Sequence, residues 1–178
     1  MPDLVTGEAF LQLFRDFQAA AFRLEVRTSY GIPEEDEPYR RFLVGEDPGL
    51  DWFEPWLRLM REETAKGKRV ERVRVVDEPP SDYLRFELWG TPQNLAAGED
   101  IRYLARSLVA NLGLPLYDFW LFDNRTVALL KFGENDRFLG VALSDDPAEI
   151  QRHTSYRDAA WRSAVTFEEY EKEHTHPQ

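Results

Sequence analysis

Asp118 and Asp123 flank the apolar run Phe119-Trp120-Leu121-Phe122, and by type and spacing they are the first residues to consider for chemistry. Carboxylates act as general acid and base when two of them, from different elements, converge where one pKa is shifted. The chain carries 33 Asp and Glu, so such pairings are easily drawn and abundance weakens each one. Asp118 is placed to point into a cleft. Asp123 opens Asp123-Asn124-Arg125, which reads as an ordinary hairpin turn. A carboxylate- or metal-dependent hydrolase would draw on Tyr30, Asp77, Asp100 and Asp118, expected at the carboxyl ends of parallel strands, where ligands bind in such sheets. That reading requires at least two of the acids to meet within metal-binding distance. A small-molecule sensor would instead build an aromatic cleft from Tyr30, Trp89 and Trp120, against the alternative that these tryptophans fill the core.

Most other catalytic chemistry is missing. The histidines are His153, His174 and His176, and the sequence has no glycine-rich phosphate loop, no HExxH and no GxSxG. His174-x-His176 has the spacing of a metal pair on an extended segment, but without a structured carboxylate nearby it reads as a terminal tail. His153 reads as a helix-surface residue. The absence of cysteine excludes disulfides, thiolate nucleophiles, thiolate zinc sites and iron–sulfur clusters, and fits a reducing cytosol. No cofactor and no metal are expected.

With 22 Lys and Arg against the acids, the net charge is −11, which repels phosphate backbones and anionic bilayers. Direct binding to nucleic acid or membrane is therefore disfavoured. The basic strips at Arg40-Arg41 and Lys68-Arg69 lack interleaved exposed aromatics, and they read as wet strand faces or as partners of nearby acids. No apolar run approaches the roughly 20 residues that span a bilayer, and acids stand where a signal peptide needs basic residues. The expectation is a soluble cytoplasmic protein.

The elements that must position these residues follow from periodicity. Phe10, Leu13, Phe14 and Phe17 mark an amphipathic helix behind Thr6 as N-cap, its apolar stripe belonging to a core. Phe22, Leu24 and Val26 alternate with Arg23, Glu25 and Arg27, as in a strand with one wet face. "SYGIPEEDEP" reads as a solvated loop, and Asp51 as the N-cap of a helix through Trp52, Trp56, Leu59 and Met60 that stops at Gly67. "RVERVRVV" is the next strand, so strand, helix and strand follow in the order of a parallel crossover. Residues 81–97 carry both signals. Leu84, Phe86 and Leu88 alternate like a strand, whereas Ser81 after two prolines and Thr91-Pro92 mark helix starts, which favours a helix broken near Gly90. "IRYLAR", Phe119–Phe122, Val127–Phe132 and Phe138–Leu143 complete the strands, the last three antiparallel across "DNR" and "GENDR". A helix capped by Asp145 or Asp146 follows, then a short polar helix and tail. The expected fold is α/β with a mixed sheet, parallel strand-helix-strand units preceding antiparallel strands, as one domain over residues 6–165 with a C-terminal helix and tail over 166–178.

Over roughly residues 10–170 the stretches "FRLEVRTSYGIPEEDEPYRRFLVGE", "GKRVERVRVV", "GEDIRYLAR" and "DFWLFDNRTV" resemble an actinobacterial family of domains of unknown function, numbered six-eight-seven-nine. That resemblance implies a companion of helix-turn-helix regulators, part of the domain being similar to their sensor half. The order of elements is also similar to the phospholipase D superfamily. There a "GkrV.vRvv" strand and an "HxKxxxxD" hairpin build a phosphodiester-cleaving site, with the His as nucleophile and the Lys holding phosphate. If Asp123 stands for the motif's Asp, Leu116 takes the His position and Asp118 the Lys position. The resemblance therefore implies a degenerate site, and with it a non-catalytic regulatory or interaction module that works with a helix-turn-helix regulator or a small ligand.

Overall fold

The computed structural model describes residues 3–175. Its centre is a seven-stranded mixed sheet in the order β6-β5-β4-β1-β2-β3-β7. The strands are β1 (Ala20–Glu25), β2 (Arg69–Val76), β3 (Glu99–Ala105), β4 (Phe119–Phe122), β5 (Thr126–Phe132), β6 (Phe138–Ser144) and β7 (Val165–Thr166). β1, β2 and β3 run parallel, joined by α3 (Glu54–Thr64) and α4 (Asp82–Ala96). β4 pairs antiparallel with β1, and β5 and β6 follow by antiparallel pairing. The expected mixed α/β architecture is the one found.

Helices cover both faces of the sheet. On one, Phe22, Leu24, Val73, Val75, Phe119 and Leu121 pack under α5 (Pro147–Ser163). On the other, Ala21, Val70, Trp120 and Phe122 meet α1 (Gly7–Asp16) and α3. Farther along this second face the sheet turns polar, because period-two alternation places Arg23, Glu25, Arg72 and Arg74 beside those apolar residues. Arg72, Arg74 and Glu25 are 7%, 6% and 4% exposed, so the face expected to be wet is covered. Parallel crossovers put helices over both faces, and the charges must then neutralise one another.

Other expectations are corrected at helix starts. "SYGIPEEDEP" is not an open loop: Pro33–Glu35 form a 3-10 turn that runs into α2 (Asp36–Leu43). α3 begins after Phe53 rather than at Asp51, with Pro55 in its first turn, a position that needs no N–H donor. α4 continues through Gly90 and Pro92 without a break. Ser81 caps it, accepting the Leu84 N–H at 3.2 Å, and Thr91 returns its hydroxyl to the Glu87 carbonyl inside the helix. Asp146 caps α5 by accepting the Ala148 N–H at 2.7 Å. The short β7 and α6 (Phe167–Thr175) close the fold, Tyr170 stacking on Tyr103 with ring centroids 4.8 Å apart. Among the described residues no helix is long and apolar enough to cross a membrane.

Candidate functional site

The hairpin from β4 to β5 places its two acids at opposite ends of β1. Asp123 and Asn124 take φ of 53° and 52°, the left-handed turn geometry that short polar residues tolerate. From there the Asp123 carboxylate accepts N–H groups of Gln18 and Ala19 at 2.7 Å each and of Ala20 at 3.0 Å. Partial burial pulls this carboxyl upward, but the three backbone donors outweigh it and hold it below its usual range. Asp123 thus clamps the chain entering β1 as well as making the turn.

Asp118 stands just before β4, one step past the last registered pair, Leu24 with Phe119. It does not open into a cleft, being 1% exposed. As the backbone leaves β1, the N–H groups of Val26 and Arg27 lose their strand partners, and they donate to Asp118 Oδ1 at 2.9 and 3.3 Å. Oδ2 accepts the Tyr30 hydroxyl at 2.5 Å and Arg23 Nη2 at 3.2 Å. Burial and the neighbouring Asp118 push the Tyr30 phenol well above its ordinary value, so it stays a donor. Leu116 is 82% exposed.

Of the residues singled out by sequence, Tyr30 and Asp118 are bonded to each other, Tyr30 lines one cavity with Trp89 and another with Asp77, and Asp100 and Trp120 are not brought to them. Asp77 pairs with Arg106 at 2.5 Å near the carboxyl end of β2. Asp100 sits at the opposite, amino end of β3 and faces Arg102 at 3.4 Å, which corrects its expected placement. Trp120 is 1% exposed and lies among Phe14, Trp56 and Phe122, so it belongs to the core and does not line a cleft. Among the described residues no three His, Asp or Glu side chains are grouped to hold a metal ion. His153 is buried rather than on the helix surface: its Nδ1 meets the Glu149 carbonyl at 2.7 Å, its Nε2 meets the Tyr117 hydroxyl at 3.0 Å, and its ring sits edge-on to Phe119. His174 contacts Glu78 at 2.8 Å; the other half of the His174-x-His176 pair lies outside the described residues.

A cavity of about 90 Å³ opens above this charged face. Arg23, Glu25, Arg72 and Arg74 form its floor, and Trp52, Tyr83, Phe86 and Trp89 are among its walls. Trp52 and Trp89 each stack on Phe86, with ring centroids 5.6 and 6.1 Å away. In the floor, Glu25 accepts Arg72 at 3.1 Å and Arg74 at 2.7 Å, and Arg72 reaches Glu99 at 2.7 Å. The arginines hold Glu25 down at about 2 against the opposing effect of burial. Glu87, reaching down from α4, is in the reverse situation, because burial raises it to about 8 and Arg74 recovers only part of that. Glu35 is also raised by burial, although the Tyr83 hydroxyl donates to it.

Sequence reasoning missed Glu87, Glu35, Trp52 and the buried arginines. One signal was available: Tyr83, Glu87, Gly90 and Asn94 fall on one face of α4, and a glutamate and a glycine on an inward face mark space and charge beneath the helix.

A family model described as a domain of unknown function (DUF6879) matches residues 8–172. No curated protein sequence matches the chain. Among solved structures it is similar to Nuc, a phospholipase D family member from Salmonella typhimurium, with 12% identity, a TM-score of 0.55 and coverage of 88% of this chain and 87% of that one. It is also similar to NucT from Helicobacter pylori, with 12% identity, a TM-score of 0.50 and coverage of 89% of both chains. At this identity the likeness is one of fold.

Proposed function

The chain belongs to the DUF6879 family, and from that premise and the geometry of the β4–β5 hairpin we propose that it is a non-catalytic, ligand-binding regulatory module built on a phospholipase-D-like fold. The observation that carries this reading is the saturation of Asp118. Both carboxylate oxygens are occupied by Tyr30, Arg23 and the backbone of residues 26–27. A group so held has no lone pair or proton to offer a reacting phosphate, and an acid at this position repels one. The cavity beside it supplies what a sensor needs, namely aromatic walls and a few polar groups held rigidly by a sheet. A bound ligand would bridge α4 to the sheet, and the response would pass to a protein partner, for which the family resemblance points to a helix-turn-helix regulator.

The purified chain is expected to release no p-nitrophenol from bis(p-nitrophenyl) phosphate above the buffer rate. Hydrolysis that disappears in Asp118→Ala, with the variant still folded, overturns the reading.

A further inference from the structure

We propose that the cavity between α4 and the sheet receives the cationic head of a small organic amine, an ammonium or guanidinium group seated against Glu87 and Glu35 and walled by Trp52 and Trp89. The inference rests on the ligand-binding reading above and names its ligand class.

Charge matching in the floor is the first reason. Arg23, Arg72 and Arg74 face three carboxylates, Asp118, Glu25 and Glu99, and each arginine is bonded to at least one of them. That layer is internally balanced, so no arginine is left to recruit an anion. Glu35 and Glu87 are the surplus carboxylates. Glu87 meets Arg74 Nε at 3.4 Å, too long for a strong charge-assisted bond, because that same nitrogen donates to Glu25 at 2.7 Å. Without a further cation Glu87 lowers its charge by keeping a proton, and burial pushes Glu35 the same way.

The walls give the second reason. Indole faces attract cations most strongly when water is excluded; Trp89, stacked on Phe86, lines this space, and so does Trp52, which is stacked on both Phe53 and Phe86. Its volume, about 90 Å³, is about that of three waters, enough for a charged head whose remainder extends outward past the half-buried Trp52 and Trp89. On binding, the cation takes the place of the Glu87 proton, which leaves to solvent, so charge in the site is conserved.

The test is a titration of the whole chain, followed by tryptophan fluorescence, with tetramethylammonium and propylammonium chlorides. Sodium chloride at matched ionic strength is the reference, and sodium phosphate is the anionic probe. A saturable change is expected with the organic cations alone, about tenfold tighter at pH 9 than at pH 7, because the proton on Glu87, held up to about 8, competes with the ligand. Glu87→Gln, an isosteric change, should weaken binding at least tenfold and remove the pH dependence. Gly90→Leu should block binding with Glu87 intact, since a side chain at Gly90 projects toward Phe53 at the cavity wall; if that variant fails to fold, Glu87→Gln decides. Absence of a saturable response, or one unchanged in Glu87→Gln, overturns the proposal. Saturation by phosphate that Gly90→Leu abolishes also overturns the cation class while sparing the ligand-binding reading, which only phosphodiester hydrolysis removes.

Discussion

Asp118 and Glu87 stand on opposite sides of one charged layer, and they meet opposite fates. Asp118, at the edge of β4, has two backbone donors, a phenol and a guanidinium around it. Glu87, on α4, has one arginine that is already spoken for, and burial leaves it near neutrality. Asp118 is fully buried and Glu87 largely so. What separates them is whether strand ends deliver N–H groups to the carboxylate: the end of β1 does so for Asp118, whereas the middle of α4 spends its N–H groups within the helix. A satisfied acid of this kind is structure, and an unsatisfied one is capacity for a ligand.

The comparison is tested most severely by truncating the satisfied acid. Asp118→Ala strands the Tyr30 hydroxyl and the N–H groups of Val26 and Arg27 and leaves Arg23 only its pairing with Glu25 at 3.3 Å, in a site that water barely reaches. Removing one partner of a buried ion pair costs about 3–5 kcal/mol, and chemical denaturation should show a loss of that size. A loss below about 1 kcal/mol, the scale of an exposed pair, would mean that Asp118 is not the anchor its contacts imply.

A smaller effect follows from the unsatisfied acid. Glu87 is raised from 4.5 to about 8 in the folded chain, so between those values the folded state holds a proton that the unfolded chain has released. Stability from this group therefore falls as pH rises through that window, by up to about 1.4 kcal/mol per pH unit. Between pH 6 and pH 8 the native chain should lose roughly 2 kcal/mol more than Glu87→Gln, which cannot ionise. His174, raised by its bond to the Tyr170 carbonyl and by Glu78, and Glu35, raised by burial, tilt the native curve the same way. Subtracting the curve of the variant removes their part. Equal slopes would sink the contrast between the two acids.

Much of the architecture could be read from periodicity, because Leu24, Val73 and Phe119 mark buried strand positions wherever the face under α5 points. The charged face could not. Alternating Arg23, Glu25 and Arg27 carry the same period whether they meet water or a layer of counter-charges, and only the three-dimensional pairing of β1 with β2 and β4 shows that Arg72 lies beside Arg23 and under a helix. The site suffered from the same ambiguity. Tyr30 and Asp118 were found because they border strands, yet their bond joins residues 88 apart. Glu87 was missed because a glutamate in a helix ordinarily faces solvent. Asp100 was misplaced although it precedes Ile101, the first residue of the expected strand, and so belongs to that strand's amino end.

The finest test separates the space above Glu87 from the stability of the helix that carries it. Gly90 has ordinary helical backbone geometry, and a Cβ there would meet Phe53 Cε1 at 3.7 Å, an ordinary contact. Inside a helix, glycine gives up about 0.5–1 kcal/mol relative to alanine through its greater freedom in the unfolded chain. Gly90→Ala should therefore raise stability by about that amount, measured by denaturant midpoint at constant m-value, while taking a methyl's volume from the cavity. If the site exists to hold a ligand, the same methyl should weaken cation binding, so that stability and binding move in opposite directions. A variant that is both more stable and an undiminished binder would mean that the glycine was not kept for the cavity, and that Glu87 is served by some other opening.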